Sequence, residues 1–271
     1  MPYLGSLSYD ELKNQLLLLS VVQARLLPLF LLIPFMNRAL VPRTVSIAIA
    51  TALGLLVVPT LPSLNQVDFD PTFLMLLGKE AVIGLVLGYV AAIPFWTLEA
   101  VGFVVDNQRG ASMAATINPM TGHDTSPLGM LFNYAFITYF MLSGGLLLLL
   151  GMVYDSYRFW PPLTFWPSWN LNTAELLLTQ LNRFVLQALL LAAPVLLAMF
   201  LAELGLALVS RFAPQLQVFF LAMPIKSALG IFVLMVYGST LFDYSLEPVR
   251  ALAAWPADLH RVWSPARGVT P

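Results

Sequence analysis

The chain has no cysteine, which excludes disulfides, thiolate nucleophiles and thiolate metal sites. It has two histidines, His123 and His260, too far apart in sequence to form a ligand pair and with no ligand spacing around either. Charge is also scarce. Asp, Glu, Lys and Arg make up 10% of the residues, against about 25% in a soluble domain. A deficit this large, spread along the whole chain, means that lipid or a large apolar assembly is the solvent. The net charge of −1 leaves no basic footprint for nucleic acid. The start, MPYLGSLSYDELKNQ, is acidic and lacks the basic region of a cleaved signal peptide, so the first apolar run is expected to remain in place. There is no GxSxG, HExxH or phosphate loop, no pair of intramembrane aspartates and no internal repeat. His123 and Asp124 in TGHDTSPLG read as a solvated turn.

What is present is apolar length. Six segments, Leu12–Met36, Thr44–Leu61, Phe73–Leu98, Leu128–Val153, Ala174–Val209 and Val218–Leu241, are each near or above the roughly 20 residues of a spanning helix. The fold class is therefore all-α, a multi-helix membrane-type protein. The fifth segment is too long for one straight span and contains Arg183 and Pro194, so a kink is expected near the proline. Tyr154–Asn172, rich in Trp, Tyr, Phe and Pro, suits an interface belt. Loop arginines give no consistent orientation: simple alternation puts Arg38, Arg43, Arg109 and Arg211 on one side, and Arg250, Arg261 and Arg267 on the other. Small residues recur at spacing four, as Gly84, Gly88 and Ala92 and as Ser46, Ala50 and Gly54. Such stripes let helices approach closely.

Lys79, Glu80, Arg183, Glu203 and Lys226 interrupt the apolar segments. An ionised group at a helix centre costs about 2.5–3.5 kcal/mol on insertion scales, so partners are expected. The last two segments form a hairpin turning near Pro214. Glu203 and Lys226 stand almost equally far from that turn, so antiparallel helices of equal rise bring them side by side. The alternative is that each faces a neighbouring subunit or water. Lys79 and Glu80 are sequence neighbours and point about 100° apart, so they are not expected to face each other. Snorkelling near a helix end is the simpler reading.

One segment, DNQRGASMAATINPM, stands apart from this oily background. Asp106 and Arg109 can pair. Asn107, Gln108 and Asn118 offer donors and acceptors. Gly110 and the small residues after it allow tight folding, and Met113 and Met120 can seal a gap with adaptable thioether chains. A loop at membrane depth must satisfy its backbone within protein or water. The segment therefore has the chemistry of a plug, and residues 99–127 form the candidate plug loop, with Pro119 beside Asn118.

Two blocks, GFVVDNQRGASMAATINPMTGHDTSPLG and AELGLALVSRFAPQLQVFFLAMPIKSALG, resemble the T subunit of the type III secretion export gate, the SctT/FliR family. The DNQRG core, the NP dipeptide, the SPLG ending and the SRFAPQ…MPIKS hairpin occur in the family's order and spacing. The resemblance covers nearly the whole chain, and SPLG and MPIKS are closer to the injectisome branch than to the flagellar one. It implies an R-like part followed by an S-like helical hairpin at residues 174–241, with Glu203, Arg211, Gln215 and Lys226 as the hairpin's polar contacts. Residues 242–271 are expected to be a polar, partly disordered tail.

The resemblance also implies partners. One copy of this chain would join five R-type and four S-type subunits, with a U-type switch subunit and rod and needle proteins nearby. The assembly would stand in the bacterial inner membrane, much of it above the bilayer on the periplasmic side, and pass unfolded proteins. No cofactor, metal or nucleic acid is implied, and the subunit is expected not to be an enzyme. Read from the residues alone, a secondary transporter or small-solute channel is the alternative, and a membrane enzyme comes third.

Overall fold

The computed structural model describes residues 9–36, 40–61, 71–110, 126–164, 171–212 and 218–263. Among these, regular structure is helical, with no strand. The helices are α1 (Tyr9–Leu32), α2 (Arg43–Val57), α3 (Pro71–Arg109), α4 (Pro127–Leu142), α5 (Gly145–Phe159), α6 (Leu171–Phe212), α7 (Val218–Ser245), α8 (Glu247–Ala251) and α9 (Trp255–Trp263). Among the described residues, five stretches are long and apolar enough to cross a membrane, or six if α4 and α5 make one span.

Three boundaries differ from the sequence reading. Helix α3 runs on to Arg109, so the first part of the 99–127 candidate is helix and not loop. Residues 99–109 contain no internal proline and only one glycine, so nothing there stops the hydrogen-bond ladder before Gly110, whose φ of +89° ends it. The fourth apolar segment is two helices. Ser143 caps the first, and Gly144, at φ +80°, supplies a left-handed turn before the second. The tail is not simply polar: residues 247–263 are largely helical, and Trp255, Leu259 and Trp263 are buried. WPADLHRVW carries its apolar residues on one helical face, which composition alone conceals. Helix α6 is one element through Pro194.

The chain divides into two compact units. The first comprises residues 1–92, 146–177 and 251–271. Its apolar core includes Leu17, Leu18, Val21 and Phe73. The small-residue stripe of α3 lies against α1 here. A Cβ on Gly84 would collide with the Arg25 carbonyl, and one on Gly88 would come within 2.9 Å of the Leu29 Cα. Backbones this close are held by dispersion over a long contact, the interaction that remains available when lipid has removed the hydrophobic drive. Gln23 Nε2 donates to Thr51 Oγ1 at 2.6 Å, linking α1 to α2.

The second unit comprises residues 93–145 and 178–250. Phe95, Phe136 and Phe140 form an aromatic knot, with centroids 5.1 and 5.0 Å from Phe95. Val105, Val195, Met199 and Leu234 pack beside Leu128 and Phe132. A Cβ on Gly102 would collide with the Gly129 backbone, so α3 and α4 also touch main chain to main chain.

Candidate functional site

In the second unit, α3 presents Glu99, Gly102 and Asp106 to the start of α4, at positions i, i+3 and i+7 along one helical face. Glu99 Oε2 accepts from Asn133 Nδ2 at 2.9 Å. Asp106 Oδ2 accepts from the Ser126 hydroxyl at 2.6 Å and from the Leu128 amide at 2.9 Å. Its other oxygen pairs with Arg109 Nη2 at 2.7 Å. Ser126 in turn accepts from the Gly129 amide at 2.9 Å as the N-cap of α4. Arg109 Nη1 lies 3.5 Å from Ser227 Oγ on α7. One buried carboxylate thus fastens the last turn of α3 to the first turn of α4, on either side of residues 111–125. Charge-assisted bonds of this kind are roughly twice as strong as neutral ones. Asn107 is exposed and Gln108 is half-buried. Gly110 leaves room for Met223, whose Cε would lie 3.4 Å from an added Cβ. Met113, Asn118, Pro119 and Met120 lie outside the described residues.

The hairpin of α6 and α7 brings Glu203 Oε2 to 3.3 Å from Lys226 Nζ. The carboxylate side chain is 49% exposed and the lysine 12%, so the pair is open on the acid's side. Arg211 is exposed in the last turn of α6, as is Arg183 earlier in the same helix. Gln215 lies outside the described residues.

The densest polar centre was not singled out from the sequence. Arg25, in the second half of α1, is fully buried in the first unit. Its Nε donates to Glu80 Oε2 at 2.6 Å, its Nη1 to Ser156 Oγ at 3.0 Å and its Nη2 to the Trp160 carbonyl at 2.8 Å. The guanidinium carbon stands 4.1 Å from the Tyr157 ring centroid. Glu80 Oε1 pairs with Lys79 Nζ at 2.8 Å, so these sequence neighbours do meet and Lys79 does not snorkel. Both side chains are long enough to bend toward each other. Lys79 is held there by the carbonyls of Pro162 at 2.8 Å and Thr164 at 2.7 Å, with that of Pro161 at 3.5 Å. The signal available was a lone arginine within the first apolar segment, with no acid nearby in that segment to neutralise it.

Among the described residues no cluster of His, Asp and Glu could hold a metal ion. Long apolar helices, backbone contacts at glycines and ionic groups satisfied inside the protein define a helical membrane protein.

The chain belongs to the bacterial export proteins, family 1, whose model matches residues 16–251. It is similar to the Yop proteins translocation protein T of Yersinia pestis, 42% identical over 87% of this chain and 91% of the relative. The Surface presentation of antigens protein SpaR of Shigella flexneri is 36% identical over 86% of this chain and 90% of its own. The Flagellar biosynthetic protein FliR of Bacillus subtilis is 31% identical over 86% and 93%. The identities rank the two secretion proteins above the flagellar one.

Proposed function

We propose that this chain is the T-type subunit of a type III export gate. It joins R-type and S-type subunits around a conduit for unfolded secreted proteins in the bacterial inner membrane. Its role in that reading is architectural and gating, with no chemistry of its own, and energy comes from other parts of the machine. Five R-type and four S-type copies per copy of this chain, a neighbouring U-type subunit and a partly periplasmic position belong to the same proposal. The segment that follows Gly110 closes the conduit at rest, through Met113, Asn118, Pro119 and Met120. Arg211 and Gln215 join Glu203 and Lys226 as contacts to neighbouring subunits.

The observation that best supports this reading is the Asp106 clamp. A segment that restrains leakage and is pushed aside by a passing chain needs firm attachments at both ends. Asp106 ties Ser126 and Leu128 to the helix that ends at Arg109. The exposed apolar side chains of α6 and α7, such as Leu197, Phe200, Leu201, Phe232 and Met235, fit burial against other subunits. The test is coexpression with the R-type and S-type subunits, followed by native mass measurement and conductance recording. One discrete assembly of fixed, unequal stoichiometry is expected. Deleting residues 111–117 should leave that assembly intact and raise ion conductance. A symmetric oligomer of this chain alone would refute the assembly. Unchanged conductance after the deletion would refute the plug while leaving the assembly standing.

A further inference from the structure

A cavity of about 430 Å³ opens in the first unit, lined by the end of α1, the start of α2 and Leu85 of α3. Its volume falls in the roughly 300–1,000 Å³ range of small-ligand pockets. Most of the lining residues are apolar, with Leu27, Leu31, Ile47 and Leu85 among the walls. Two groups break the pattern, the Arg43 guanidinium and the Ser46 hydroxyl. Arg43 is exposed, and no ion pair to it occurs among the described residues. It is also the first residue of a span that runs to Thr60, so its charge stands where an apolar segment ends. An apolar chamber with one unpaired cation and one hydroxyl at the end of a span is complementary to an amphiphile with an anionic head. Basic pockets between membrane helices hold phospholipid head groups on the same physical grounds.

We propose that this cavity binds one anionic phospholipid, its phosphate on Arg43 and Ser46 and an acyl chain against Leu27, Leu31, Ile47 and Leu85. The guanidinium supplies paired N–H donors that match two phosphate oxygens. Ser46, one turn along α2, adds a third donor. The chain fills apolar volume that water would occupy unfavourably. The proposal requires only that the protein sits in a bilayer, and it stands apart from the plug.

The full chain is reconstituted into phosphatidylcholine nanodiscs with a trace of phosphatidylglycerol carrying a photoactivatable acyl chain. Labelled peptides are then mapped by mass spectrometry. Label is expected on the segments containing Leu31, Ile47 and Leu85. Arg43→Gln should lower it about fivefold, the worth of one basic contact to an anionic lipid. Arg43→Lys should retain most of it. Ile47→Trp, which fills the chamber without touching the charge, should also lower it, and keeps the test decisive if the Arg43 variant is poorly folded. Equal labelling by a phosphatidylcholine probe, or full labelling of Arg43→Gln, would overturn the proposal. Competition by inorganic phosphate would reassign the site to a free anion. Loss of label in the coexpressed assembly, with a crosslink from position 43 to a partner carboxylate, would reassign it to a protein contact.

Discussion

The two charge centres answer the same problem, ions on apolar helices, in opposite ways. Around Arg25 everything is internal. Guanidinium, carboxylate, ammonium, hydroxyl and main-chain carbonyls close on one another inside the first unit, and both partners of the Arg25–Glu80 pair have no exposure. At Glu203 and Lys226 the second unit supplies a single longer contact and leaves the acid half open. A dry centre with every partner in the same chain stabilises the fold of that chain. An open pair on a largely apolar hairpin is left free to meet something else. Burial of the apolar helices does not follow the same division: 72% of the α3 window is buried within the protein, against 17% for α2, 28% for α6 and 11% for the stretch from Leu221.

The comparison breaks most easily at Glu80. Glu80→Ala would leave two buried cations without their carboxylate, a loss of about 3–5 kcal/mol. The expected result is a collapse of folded protein in the membrane fraction and a lower thermal midpoint in detergent. A near-normal midpoint would mean that water reaches the centre. Gly84→Val comes next. Its side chain would strike the Arg25 carbonyl and separate α1 from α3, costing about 1–3 kcal/mol, and it should also loosen the Arg25 centre as read by proteolysis within α1.

Asp106→Asn keeps the size of the side chain and removes its charge. It should weaken the Arg109 contact and the α3–α4 fastening by about 1.5–3 kcal/mol. Local hydrogen exchange at Leu128 and Gly129 should rise while global stability changes little. Unaltered exchange there would show that α4 is held by the glycine contact alone. The smallest effect belongs to the open pair. In the isolated chain, a double-mutant cycle of Glu203→Ala and Lys226→Ala should give a coupling of about 0.2–1 kcal/mol. Repeated in the coexpressed assembly, the cycle should give a larger value if subunits exclude water from the pair. Equal values in the two settings would place the pair outside any interface.

Hydrophobic length made the spans legible, and the spacing of Gly84 and Gly88 pointed to a close helix approach but not to α1 as the partner. The register of an antiparallel hairpin places Glu203 opposite Lys226, because equal rise on both helices leaves little freedom. The Arg25 centre was hidden because its members come from α1, α3 and α5, and no local spacing reports which helices will converge. Lys79 and Glu80 were misread because helical direction describes Cβ vectors, while four-carbon and two-carbon side chains bend to reach each other. The extension of α3 to Arg109 was obscured by polar residues that resemble a loop. Of these, Asp106 bonds to the start of α4 and Arg109 lies within reach of Ser227 on α7, so the polar run finds partners while staying helical. Met113, Asn118, Pro119, Met120 and Gln215 remain readings of the sequence.

The turn that receives Lys79 has a chemical asymmetry. Pro161 and Pro162 each keep a carbonyl and lack an N–H. The turn is therefore richer in acceptors than in donors, and an amide that an ordinary residue would add to compete for those carbonyls is missing. The surplus is matched by a side chain that can only donate: the ammonium takes the carbonyls of Pro162 and Thr164. Recognition here is of the main chain, and the Thr164 hydroxyl, donating to the Pro161 carbonyl at 2.9 Å, helps close the turn that presents those carbonyls. Exchanging either proline for a residue with an amide would change the donor–acceptor balance without removing a single contact that Lys79 makes.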